Sequence, residues 1–134
     1  MQYINVTIEL LKTYSSSKSM KELLALAIWF KMQHSNSVIW NVTEYKLRKG
    51  LRIGKVKAER LIRDMKDSDL FTIDGNKVVV SSFRDHTTKW TRKNKEYHGA
   101  MVCKFEVKEY TMRELYNLIN EKLFVYPICA AEHK

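Results

Sequence analysis

The sequence predicts an α+β fold: a run of helix, short strand, short helix, tight turn, longer helix and hairpin, with one strand before it and a strand plus helix after it. Three observations carry that reading. Met20, Leu23, Leu24, Ala27 and Ile28 repeat at the spacing of a buried helical stripe. Two β-rich runs, Leu70 to Ile73 and Lys77 to Val80, flank Asp74, Gly75 and Asn76, a strong short-range hairpin signal. The chain has 134 residues, 45% of them hydrophobic and a single proline, which suits one globular unit over 1–134. Within it the expected divisions are a core at about 18–83, a basic loop at 84–99 and a strand-helix extension at 100–134.

Residues 2–12 read as a strand, because Ile4, Val6, Ile8 and Leu10 alternate with Asn5, Thr7 and Glu9. A serine-rich turn follows, and Ser19 with Glu22 has the spacing of a capping box that opens a helix running to about His34. Residues 37–40 look like a brief strand. Thr43 is a suitable N-cap for a short helix that Gly50 closes. The linker 51–54 leads to a longer helix ending near Ser68. After the hairpin, 84–99 is polar, basic and without period, and 100–110 looks like another strand. Thr111 and Glu114 form a second capping box, and Met112, Leu115, Tyr116, Ile119 and Leu123 give the last helix its stripe, which Pro127 ends.

The formal charge is +9. A surplus of that size on a small domain points to an acidic partner, nucleic acid before an anionic membrane surface, with plain solubility as the bland alternative. Cys103 and Cys129 stand without a pairing framework and read as reduced thiols of a cytoplasmic protein. Residues Met1 to Ile4 lack the features of a signal peptide, and the longest apolar run, Leu23 to Phe30, is too short to span a bilayer. The expected setting is therefore the cytoplasm, with nucleoid association if the source is bacterial, and no membrane partner.

The order of elements, and the residues from Leu47 to Phe71 in particular, resemble the winged helix-turn-helix superfamily of DNA-binding proteins. In its members a small or β-branched residue opens the core face of the recognition helix. Apolar positions follow four and seven residues later, and two more lead into the wing. Ala58, Ile62, Met65, Leu70 and Phe71 occupy those places here. The family often has glycine where this chain has Asp69, which implies a differently shaped turn. The resemblance spans 18–83, about half the chain, and assigns no subfamily. It implies a sequence-specific binder of double-stranded DNA that regulates transcription by occupying an operator, with 54–68 as recognition helix and 70–83 as wing. The alternatives are a phage or mobile-element replication or partition factor, and a winged-helix module for protein interaction or a virion.

If Ala58, Leu61, Ile62 and Met65 face the core, the opposite face carries Val56, Arg60, Arg63 and Asp67, flanked by Lys57 and Glu59. The resemblance then places Lys55, Lys57 and Arg60 toward the groove and Arg63 nearer phosphate. Lys77 in the wing and Lys46, Arg48 and Lys49 on the short helix are phosphate candidates, and Arg52 in the turn fits either role. Asp64 and Asp67 weaken the positive field, and each cation read singly is equally a solvated surface group. In the following loop Arg84, Lys89, Arg92, Lys93 and Lys95 surround Trp90, with Tyr97 beyond. Such interleaving can track a phosphate backbone, or the tryptophan can simply pack on the core.

Enzyme chemistry has no foothold in the sequence, and no catalytic residue, cofactor or metal is expected. The four histidines and two cysteines show no ligand spacing, and the four glycines are scattered rather than gathered in a phosphate loop. Leu115, Leu118, Leu123 and Phe124 offer apolar surface on the last helix, open between a homodimer contact and packing within the chain.

Overall fold

At Thr7 the chain changes from strand to helix. The computed structural model describes residues 2–34, 36–83 and 102–125, and its first strand, β1, covers only Tyr3–Thr7. The Thr7 side chain accepts a hydrogen bond from the Leu10 amide at 3.2 Å, so it caps a short helix, α1, over Ile8–Thr13. The expected strand over 2–12 is corrected accordingly. The cause is Leu11 and Tyr14, which break the period of two and join Ile8 and Leu10 on a buried helical face.

Helix α2 spans Lys18–Gln33. Its N-cap is Ser17, whose hydroxyl accepts from the Met20 amide at 3.2 Å, rather than the expected Ser19. Every residue from Glu22 to Phe30 is buried. A helix buried on all sides is the centre of its fold, not a surface element with one apolar stripe. Strand β2, Val38–Trp40, is followed by α3, Glu44–Leu51, capped by the Thr43 hydroxyl on the Lys46 amide. Arg52 then takes a left-handed conformation at φ +58°, and Gly54 begins α4, Lys55–Lys66, without a side-chain cap.

The hairpin forms as its turn chemistry requires. Strands β3, Phe71–Asp74, and β4, Lys77–Val80, pair antiparallel around Gly75 and Asn76, with Asp74 opposite Lys77. Gly75 adopts φ +59°, which glycine reaches without strain. β2 pairs with the other edge of β4, giving a three-stranded sheet in the order β2-β4-β3. Strand β5, Val102–Glu106, pairs antiparallel with β1, with Val6 opposite Cys103. The last helix, α5, covers Met112–Val125. Its capping box is reciprocal: the Thr111 amide donates to Glu114 at 2.9 Å and the Glu114 amide to the Thr111 hydroxyl at 3.2 Å.

One buried apolar cluster joins β1, the five helices of the described residues, the strands β2, β3 and β4, and β5. Leu115, read as open to either a dimer contact or packing within the chain, is fully buried in it, and Leu118 and Leu123 pack against it, whereas Phe124 is exposed. Asp69, where the resemblance led to glycine, lies in a turn closed by Ser68. The Ser68 hydroxyl accepts from the Leu70 amide at 3.2 Å, and the Ser81 hydroxyl donates to the Asp69 carbonyl at 3.0 Å.

Gly50 does not end α3 but lies within it. A Cβ there would come 2.7 Å from Cη2 of the buried Trp29 and closer still to Cζ2. Gly50→Ala should therefore destabilise the protein by about 1–3 kcal/mol through overpacking, outweighing alanine's better helix propensity. A urea titration giving an unchanged or raised midpoint would refute this.

Cys103 is buried, its thiol 3.6 Å from the Val6 carbonyl oxygen that accepts from it. Burial pushes its pKa up to about 11 against the lowering influence of Lys122. The folded pKa is raised, so this contribution to stability is complete below about pH 9 and is lost as pH rises toward about 11. In a Cys129→Ser background, native Cys103 should resist thiol reagents at neutral pH, reacting only as the protein unfolds.

Candidate nucleic-acid interface

The cations of the middle of the chain divide into two groups, and Glu22 makes the division. Glu22 is 1% exposed, because α2 carries it inward from the last turn before the apolar run. A carboxylate buried there needs partners. Lys57 supplies one, with Nζ 2.7 Å from Oε2, and Arg60 supplies the other through its guanidinium on Oε1. Lys57 and Arg60 lie three apart on α4, so both reach back to the same point on α2. Arg60 Nε also lies 3.9 Å from Asp64 Oδ2, though it has no hydrogen-bond partner among the described residues.

Lys57 and Arg60, expected to face the groove, engage Glu22 in this structure. The two cations share one carboxylate, and their side chains stay about one-third exposed. A helical wheel could not reveal this, because the partner lies thirty-eight residues away in sequence.

The other α4 positions do face solvent. Lys55, Val56, Glu59 and Arg63 are exposed, and Val56 keeps 80% of its surface. Lys55 and Arg63 form no ion pair among the described residues. Arg52, at the turn between α3 and α4, is likewise exposed and without an ion pair there. Helix α4 packs against α3, α2 and β3.

On α3 and the hairpin the cations are gathered around two exposed aromatic rings that sequence reasoning passed over. Trp40 ends β2 with 59% of its surface exposed, and Tyr45 in the first turn of α3 keeps 62%. Lys77 Nζ lies 5.9 Å from the Trp40 ring centre, and Lys49 Nζ lies 5.5 Å from that of Tyr45. Lys46 ties the two elements together by donating to the Trp40 carbonyl at 3.1 Å. Arg48 is taken by Glu44, 3.2 Å away and one turn earlier. The signal for Trp40 was available: Ile39 is the buried residue of that three-residue strand, so its neighbours must point outward.

Arg84, Lys89, Trp90, Arg92, Lys93, Lys95 and Tyr97 lie outside the described residues, as do Pro127 and Cys129. Among the described residues no three His, Cys, Asp or Glu side chains gather as a metal site would need, and no helix is long and apolar enough to cross a membrane. Compared with family models, curated proteins and solved structures, the chain matches none.

The Glu22 cluster gives a stability prediction. Removing the carboxylate leaves two cations that can partly relax into water, so Glu22→Ala should cost about 1–3 kcal/mol, less than for a fully enclosed pair. A double-mutant cycle of Glu22→Ala with Arg60→Ala should show coupling of at least about 0.5 kcal/mol in urea unfolding. Additive effects would mean that the pair contributes nothing to the fold.

Proposed function

We propose that this chain is a winged helix-turn-helix protein that binds double-stranded DNA and regulates transcription by occupying its site, without an enzymatic step. In this reading α4 enters the major groove, α3 crosses the backbone beside it and the β3–β4 hairpin is the wing. The order α2, β2, α3, α4, β3, β4 and the sheet order β2-β4-β3 agree with that arrangement. The α+β architecture alone would be compatible with many functions.

The observation that carries the reading is the division of the cations. Lys57 and Arg60 are both engaged by Glu22, while Lys55 and Arg63 on the outer side of α4 are left without carboxylate partners among the described residues. Val56 between them offers apolar contact of the kind that thymine methyl groups accept. Lys46, Lys49 and Lys77, set around Trp40 and Tyr45, suit phosphate contacts on either side of the groove.

Fluorescence anisotropy with a random duplex at several salt concentrations tests this. Wild type should bind at micromolar or tighter affinity in low salt, with log K falling linearly in log salt. Lys55→Ala/Arg63→Ala and Lys46→Ala/Lys77→Ala should each weaken binding and reduce the salt slope by about two. No binding by wild type at low salt, or slopes unchanged in both double variants, would defeat the proposal.

A further inference from the structure

Behind the start of α4, on the side that faces α5 rather than solvent-exposed Val56, the molecule has an open cleft of about 500 Å³. It is bounded by the first turns of α2, α4 and α5 and by the α3–α4 turn. Four cations line it, Lys18, Arg52, Lys57 and Arg113, against a single carboxylate, Glu22. That carboxylate is already engaged by Lys57 and Arg60. Lys18, Arg52 and Arg113 form no ion pair among the described residues. Three elements therefore bring unmatched positive charge to one concavity, and no acid of the cleft is free to balance it.

The rest of the lining is Ile53, Gly54, Met112, Tyr116 and the polar Asn117. The volume falls in the range of small-molecule sites, and a bare inorganic anion would fill only a corner of it. A lining that combines these cations with Ile53, Met112 and the Tyr116 ring suits a phosphorylated molecule that carries a flat organic body. The uncapped first turn of α4 at Gly54 adds to the positive field without defining it.

Arg52 is the informative residue. It lines the cleft while held at φ +58°, a backbone conformation in which glycine would sit without strain. Side-chain-free glycine would make the same turn more easily, so the turn itself does not require a guanidinium. We infer that the cleft between Arg52, Lys18 and Arg113 is a binding site for a small phosphorylated ligand of nucleotide size, with Arg52 and Arg113 as its principal phosphate contacts. The inference does not depend on the DNA reading, because it can be tested without nucleic acid.

The test is calorimetric titration of the full chain with ADP and with inorganic pyrophosphate. Saturable binding of one equivalent is expected for at least one of them. Arg52→Gly and Arg113→Ala should each weaken it about tenfold or more, while Lys66→Ala, an exposed cation outside the cleft, should stay within about twofold of wild type. Arg52→Gly should melt no lower than wild type, which separates loss of binding from loss of fold. Absence of saturable binding with both probes would overturn the inference, as would affinities unchanged in the two arginine variants. The duplex titration distinguishes the two sources of phosphate. If Arg113→Ala loses duplex affinity to the same degree as nucleotide affinity, the cleft belongs to a polymer backbone and the small-ligand site is refuted.

Discussion

The burial of α2 on every side is the constraint from which the rest of the molecule follows. From Glu22 to Phe30 every residue of this helix is buried, so its neighbours must cover it on all sides. Helix α5 closes one side, α4 and β4 others, and β1 a further one. The N-terminal strand and the C-terminal helix are therefore parts of the core rather than ornaments on it. Phe30 meets Phe71 edge-on with ring centres 6.1 Å apart, which links the central helix to the entry of the hairpin. Trp29 is pressed so closely on α3 that only glycine is accommodated at position 50. Each of these contacts sets the position of an element that the candidate interface uses.

Glu22 is the one charged residue in that buried run, and its presence has a consequence beyond stability. A buried carboxylate must be hydrogen-bonded or paired, since its desolvation would otherwise be prohibitive. Two of the cations on α4 are drawn in to satisfy it. That leaves α4 with two electrostatic sides: an inner one where Lys57 and Arg60 share Glu22, and an outer one where Lys55 and Arg63 have no ion pair among the described residues. The outer side is the one offered to DNA in the proposed reading. On the inner side the cleft beside α5 holds further unmatched cations, which is why it is read as a separate ligand site. The two sites share the first turn of α4 and the Arg52 turn, so the same short segment of chain serves both proposals from opposite directions.

The aromatic side chains divide in a similar way. Trp29, Phe30, Phe71 and Phe105 are buried and fill the core. Trp40 and Tyr45 are left outside with lysines across their faces. An exposed tryptophan on a three-residue edge strand contributes little to folding, and its surroundings of Lys46, Lys49 and Lys77 suit contact with an anionic partner. Composition cannot make this division, because every aromatic looks like core material until the packing is known.

Local signals were legible in the sequence wherever a few adjacent residues decide the conformation. The Thr111–Glu114 capping box, the Asp-Gly turn of the hairpin, the Thr43 cap and the core face of α4 at Ala58, Leu61 and Met65 all depend on neighbours within a turn or two, and all are present in the structure. The α+β class followed from the order of those signals. At α1 the period of two from Ile4 to Leu10 masked a local cap at Thr7, but elsewhere a distant residue decided. Gly50 looked like a helix terminator, yet it lies inside α3 because Trp29 occupies the space a side chain would need. Glu22 looked like a capping residue, yet Ser17 begins the helix and Glu22 turns inward. Lys57 and Arg60 looked solvent-facing because periodicity locates a residue on a helix but not the direction of a long, flexible side chain. The sequence by itself determined most of the local elements and the excess of positive charge. Only the tertiary structure decided which of those charges are matched, because electrostatic pairing and steric exclusion act across space between residues the chain order keeps far apart.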